Sequence, residues 1–155
     1  MAAEHLTRPL DEANVNYELL PHAHTESAAD EAKALGVEPT DVAKTLIVTG
    51  PEGNVRAVVP ASERLDLHKL AEACDVGRNA LQLASEDDLR RDYADFELGA
   101  VPPFGGPSDR VVIDRRVTER DSVVLEAGSH DESVRLASAD LVRATGAEVA
   151  DISED

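Results

Sequence analysis

The run Thr45-Leu46-Ile47-Val48-Thr49, closed by Gly50-Pro51, is the feature that most constrains this chain. A continuous β-branched and aliphatic stretch ended by turn formers suits a central strand buried on both faces better than an exposed helix. Gly50-Pro51-Glu52-Gly53-Asn54 is dense in turn formers and Val55 to Pro60 reads as a return strand, so a hairpin is expected. Lys44 stands just before the first strand, where a long cationic side chain can leave the sheet edge and reach a neighbouring cleft. The chain has only three lysines, Lys33, Lys44 and Lys69, which makes this position the first candidate for function. By residue type alone, a lysine at a strand end is also an ordinary solvated charge.

Other elements follow from local signals on either side of the hairpin. Residues 4–14 suit a short helix and Val15 to Leu20 a strand. Thr25 to Leu35 reads as a helix with a hydroxyl cap, acids in its early turns and Gly36 as its stop. Asp66 can cap a helix whose apolar face is Leu67, Leu70, Ala71 and Cys74, and Ser85 can cap another running to about Tyr93. Strands are expected over Arg110 to Asp114, Ser122 to Glu126 and near Ser133 to Leu136. A last helix spans Ser138 to about Thr145, and an edge strand falls within Ala147 to Ile152. Helices mixed irregularly with hairpin-like strands predict an α+β fold. Residues 1–155 read as a single domain with a mixed, largely antiparallel central sheet flanked by helices.

Charge constrains the solvent more than the fold. Thirty-two acidic residues against fifteen basic ones give a formal net charge of −17. Self-repulsion of that size is costly in dilute buffer, but at ~1 M salt the screening length falls to about 3 Å and most of the cost disappears. Acid-rich, lysine-poor composition therefore suggests a halophilic cytoplasm; an unusually acidic mesophilic protein is the alternative. No apolar run reaches the ~18–20 residues needed to span a bilayer, no secretory signal opens the chain, and one cysteine allows no internal disulfide. A cytoplasmic location is expected, with no membrane and no DNA partner.

Several groups could carry chemistry. The loop Leu98-Gly99-Ala100-Val101-Pro102-Pro103-Phe104-Gly105-Gly106-Pro107 is stiffened by prolines and opened by glycines. Backbone N–H and C=O groups fixed in this way can polarise a carbonyl without a catalytic side chain, although a plain surface connection has the same composition. His22 and His24 could be two metal ligands on one face of a strand, but no third ligand motif supports them and two loop histidines are the plainer reading. Cys74 falls on the apolar stripe of its helix and reads as a core residue. Arg110, Arg115, Arg116 and Arg120 make the one dense basic stretch, open to nucleic-acid phosphates or to ion pairing with nearby acids.

Lys44 in "DVAKTLIV", the segment "RAVVPASERLDLHKLAEA", the loop "ELGAVPPFG" and the tail "ASADLVRATGAEVADIS" together resemble the YbaK/ProX family of aminoacyl-tRNA editing domains. The likeness runs from about Tyr17 to Ser153. It implies a free-standing aminoacyl-tRNA deacylase that clears mischarged tRNA, with tRNA-Pro the family's commonest carrier and prolyl-tRNA synthetase a possible partner. Ala, Ser or Cys is the expected amino acid, and no cofactor or metal is expected. By the same resemblance, Lys44 and the G-x-x-x-P pattern of Gly99 and Pro103 form the catalytic pocket. His22, Ala100, Val101, Pro102, Phe104, Gly128 and Ser133 would contact substrate, and Arg115 and Arg116 would meet tRNA. Some family features differ here: Pro102 replaces a small hydroxyl residue, His22 a Tyr, and Ser133 an Asp. A non-catalytic module that only recognises aminoacyl-tRNA ends or a synthetase is the competing expectation.

Overall fold

The computed structural model describes residues 8–25, 27–105, 107 and 109–155. The front half of the expected first helix, and Gly106 of the proline-rich loop, lie outside the described residues; residues 8–12 are helical. The elements that follow are β1 (Tyr17–Pro21), α1 (Ala28–Leu35), a 3-10 turn (Pro39–Asp41), β2 (Ala43–Gly50), β3 (Gly53–Pro60), α2 (Leu67–Cys74), β4 (Gln82–Leu83) and α3 (Glu86–Asp92). Beyond the proline-rich loop come β5 (Arg110–Asp114), α4 (Arg115–Thr118), β6 (Ser122–Ser129), β7 (Glu132–Ala137), α5 (Ser138–Thr145) and β8 (Glu148–Ala150).

The fold is mixed α+β, but its strands form two sheets instead of one. β2 and β3 pair antiparallel from Ala43↔Pro60 to Gly50↔Gly53, so Pro51 and Glu52 are the two residues of the hairpin turn. This pair lies at the centre of a five-stranded sheet of order β4-β2-β3-β5-β8, in which β5 runs parallel to β3 and β8 parallel to β5. β1, β7 and β6 form a separate antiparallel sheet. The two meet through an isolated bridge between Val42 and Val124. Strand pairing of that kind joins residues far apart in the chain, which local turn and cap signals do not encode.

Period-two alternation places the core on both faces of the larger sheet. Val58, Val111 and Ile113 face a cluster that includes Leu125, Val134 and Leu141 of the second sheet and α5. The intervening Ala57, Val59 and Val112 face Leu70 and Cys74 of α2 and Ile152. Cys74 is thus a core residue, and burial pushes its thiol pKa up.

The helices begin and end where their caps dictate. Ser27 accepts from the Asp30 N–H at the start of α1, and Gly36 closes it in the left-handed conformation at φ 68. Asp66 accepts from His68 and Lys69 N–H at the start of α2, and Ser85 and Asp88 form a reciprocal capping box on α3. Among the described residues no helix is long and apolar enough to cross a membrane.

Candidate active site

Lys44 is the second residue of β2, and its side chain reaches a cavity of about 230 Å³ beside the join between the two sheets. β2 contributes Ala43, Lys44, Thr45 and Leu46 to the wall. α1 and its cap contribute Ser27, Ala28 and Glu31; the loop after α3 contributes Gly99, Ala100 and Val101; β6 contributes Glu126. Burial, with the positive charge of Arg64 adding to it, lowers the Lys44 pKa below the ordinary lysine value, and Glu63 opposes the shift. A partly dehydrated ammonium of this kind interacts strongly with any ligand oxygen placed before it.

The facing loop is set by contacts at both ends. Ala100 N–H donates to the Glu97 carbonyl at 3.0 Å, and Gly99 occupies the third position of this turn at φ 84, where a side chain would be strained. His130 Nε2 donates to the Leu98 carbonyl oxygen at 2.7 Å, and its Nδ1 lies 3.1 Å from Glu126 Oε2. Glu97 N–H donates to the Gly128 carbonyl at 2.9 Å. The β6–β7 turn therefore holds the upstream end of the loop.

Arg56 of β3 holds the downstream end. Its Nη1 donates to the Pro102 carbonyl at 2.7 Å, and its Nη2 donates to the Gly105 and Pro107 carbonyls at 2.7 and 2.8 Å. Nε donates to Asp109 Oδ2 at 3.0 Å, and the guanidinium lies 5.1 Å from the centre of the Tyr93 ring. Tyr93 in turn donates to Asp109, and burial together with that carboxylate pushes the phenol pKa up to about 12, so it remains a donor. One side chain, 1% exposed, thus donates to three carbonyls of the same loop.

Lys44, Gly99, Ala100 and Val101 share the cavity wall. Pro102, Pro103 and Phe104 are buried behind it, Pro102 on Arg56 and Phe104 in the core with Val58 and Ile113. Gly128 is the backbone anchor for Glu97. His22 and Ser133 stand one layer back: His22 Nε2 lies 2.8 Å from Ser133 Oγ, which donates to Glu31 Oε2. Arg115 and Arg116 are on α4 and line no part of this cavity. Arg116 pairs with Asp114 at 3.2 Å and Asp151 at 2.9 Å, while Arg115 is 61% exposed and 4.0 Å from Asp151.

His22 Nδ1 also lies 2.7 Å from the Ala23 carbonyl oxygen, and His24 packs edge-on against His130. Among the described residues no three His, Cys, Asp or Glu side chains are grouped to hold a metal ion. Sequence reasoning missed Glu31, Glu126, His130 and Arg56. Glu31 reads as an acid complementing the α1 dipole. The available signal for Arg56 was a lone cation inside the apolar strand Val55-Arg56-Ala57-Val58-Val59.

Residues 22–144 match the aminoacyl-tRNA editing domain family, and the chain belongs to that family. That membership makes it an enzyme of ester hydrolysis, an aminoacyl-tRNA deacylase by class. It is 26% identical over 150 residues to EbsC of Enterococcus faecalis, described as a candidate Cys-tRNA(Pro)/Cys-tRNA(Cys) deacylase; the match covers 94% of this chain and 90% of that one. It is 28% identical over 107 residues to the proline–tRNA ligase of Thermosipho melanesiensis, covering 69% of this chain but 18% of the ligase. Among solved structures, one described as a candidate trans-editing enzyme for prolyl-tRNA synthetase superposes with a TM-score of 0.86 at 26% identity, covering 99% of this chain and 98% of that one.

Proposed function

We propose that this chain acts in trans, in the cytoplasm, on mischarged tRNA. It hydrolyses the ester joining a small non-cognate amino acid, Ala, Ser or Cys, to the 3′ end of tRNA-Pro. The observation that carries this reading is the one cavity walled by Lys44 on one side and by Gly99, Ala100 and Val101 on another. At about 230 Å³ it is smaller than the ~300–1,000 Å³ of ordinary small-molecule sites, so it suits a small aminoacyl group and leaves the adenosine outside. A second hollow of about 190 Å³ shares Thr45, Leu46, Gly99 and Val101 with it and offers an apolar bed for that nucleoside.

In this mechanism Lys44 donates to the oxygens of the ester end. In the Gly99–Pro103 loop, the backbone of Gly99, Ala100 and Val101 walls the side-chain pocket, polarises the carbonyl and positions water, with Pro102 and Pro103 stiffening the loop behind it. Water attacks the carbonyl carbon, the carbonyl π pair moves to oxygen, and the resulting oxyanion is stabilised by these fixed donors. Collapse expels the ribose oxygen, which takes up the proton lost by the water and leaves free amino acid and a tRNA hydroxyl. The neighbouring terminal hydroxyl of the tRNA can assist, and a cysteinyl ester can use its own thiol. Cys74, buried in the core, is not a candidate nucleophile. Because one methyl is worth only ~1–3 kcal/mol, selectivity among small side chains is expected to be broad.

The test is a panel of mischarged tRNAs incubated with the protein at high salt, following loss of the ester with and without Lys44→Ala. Lys44-dependent loss confined to small aminoacyl groups supports the reading; tight binding without turnover favours a recognition module instead. Arg115 and Arg116 belong to the same reading as phosphate contacts. Replacing both by Gln should weaken tRNA binding and reduce the slope of log K against log salt by roughly 0.7 per lost contact. It should also lower the melting temperature, because Arg116 neutralises fully buried Asp114. A changed stability with an unchanged slope would leave these residues purely structural.

A further inference from the structure

Glu31 is fully buried, yet it forms part of the cavity wall. Its Oε2 accepts from Ser133 Oγ, and its Oε1 makes no hydrogen bond to any described residue. Ser133, also fully buried, lies within hydrogen-bond distance of His22, so two residues from β7 and the segment after β1 hold the carboxyl group in place. Burial holds the Glu31 pKa above the ordinary carboxylate value, and Ser133 and the charges of His22 and His130 offset that rise only in part, so the ionised form calls for a further positive partner. A packed interior does not keep a carboxylate oxygen without a partner unless something else supplies one.

The cavity is also polar in a directional sense. Glu31 and Glu126 lie on the walls built by α1 and β6, while Lys44 enters from β2. A matching ligand carries a positive group close to a polarised oxygen. An aminoacyl ester has this form, since its α-ammonium is one carbon away from the carbonyl that Lys44 would face. A carboxylate paired with an ammonium in a dehydrated site makes a strong charge-assisted hydrogen bond.

We infer that Glu31 is a specificity-determining residue that accepts a hydrogen bond from the free α-ammonium of the aminoacyl group, so that esters with a blocked or missing amine are rejected. The inference rests on the deacylase reading of the same cavity and adds the class of ester it admits. Esters of N-acylated amino acids, including peptidyl esters, would bring an uncharged amide to Glu31 Oε1. Glu31 would then be left as a buried charge without a counter-charge.

The test compares two non-hydrolysable 3′-amides of adenosine, one alanyl and one propionyl, which differ only in the α-amine. The parent protein should bind the alanyl amide about 10- to 100-fold more tightly. Glu31→Gln, which keeps an acceptor for Ser133, should bring the ratio close to one. Lys44→Ala should weaken both ligands and leave the ratio unchanged. Should Glu31→Gln fail to fold, Glu31→Asp keeps the charge but withdraws the oxygen, and a reduced ratio is expected. Equal binding of the two amides by the parent, or an unaltered ratio in the folded Glu31 variant, would overturn the inference. Amine-dependent binding without any ester hydrolysis would instead overturn the deacylase reading and leave the role of Glu31 standing.

Discussion

Lys44→Ala should lower the rate of deacylation of small aminoacyl-tRNAs by about 10²–10³-fold, the loss expected when one preorganised charged donor to a developing oxyanion is removed. Both kcat and kcat/KM should fall, because the interaction strengthens as charge builds up on the oxygen. The pH profile supplies a second check. Burial and Arg64 lower the Lys44 pKa, so activity that requires its ammonium should decline on the alkaline side below the ordinary lysine value, and this limb should be absent from the variant. Stability should move the other way. A lysine with a lowered folded pKa binds its proton less well folded than unfolded, so it works against folding below the folded pKa, and stability rises as pH passes upward through that value. Lys44→Met should therefore unfold at neutral pH at a temperature no lower than the parent. A variant that loses stability but keeps its rate would reverse the assignment of Lys44 from function to fold.

Arg56→Met should be the most destabilising single change outside the hydrophobic core. Removing one member of a buried ion pair costs ~3–5 kcal/mol, because the partner is left charged and dehydrated. Here Asp109 loses its counter-charge, and the carbonyls of Pro102, Gly105 and Pro107 lose their donor. Urea unfolding should show a lower midpoint with a similar slope. Any protein that remains folded should be nearly inactive, because the loop facing Lys44 is no longer held at its downstream end. Arg56→Lys keeps the charge but cannot fork to three carbonyls and one carboxylate at once, so it should recover only a fraction of the stability. An unchanged midpoint for Arg56→Met would mean that the downstream end of the loop is held by its prolines and not by the guanidinium.

The contrast between these two residues shows what the chain discloses in one dimension. Lys44 was visible because it borders a run whose composition admits few conformations, and because lysine is scarce here. The hairpin, the Ser27 and Gly36 caps of α1, and the Asp66 and Ser85 starts were visible because each is decided within a few residues. Arg56 was not, since its hydrogen-bond partners lie forty-six or more positions away and all but Asp109 are carbonyls, which carry no residue-type signature. Glu31 was hidden in a different way: an acid in a first helical turn already has a local explanation. The division into two sheets stayed hidden because it depends on which strands meet across the interior, and the Val42–Val124 bridge that links them connects two unremarkable valines. β4, two residues long, and α4, four residues long, are too short for periodicity to register.

His130 and Arg56 hold the loop by its carbonyls, while Ala100 and Val101 between these anchors line the cavity. Frame and lining are thus encoded at separate positions. Descendants of such a chain could exchange one accepted amino acid for another by small steps at those two residues, each step changing the room available while the backbone stays where it is. Selectivity in this architecture is open to evolutionary adjustment without passing through an unfolded intermediate.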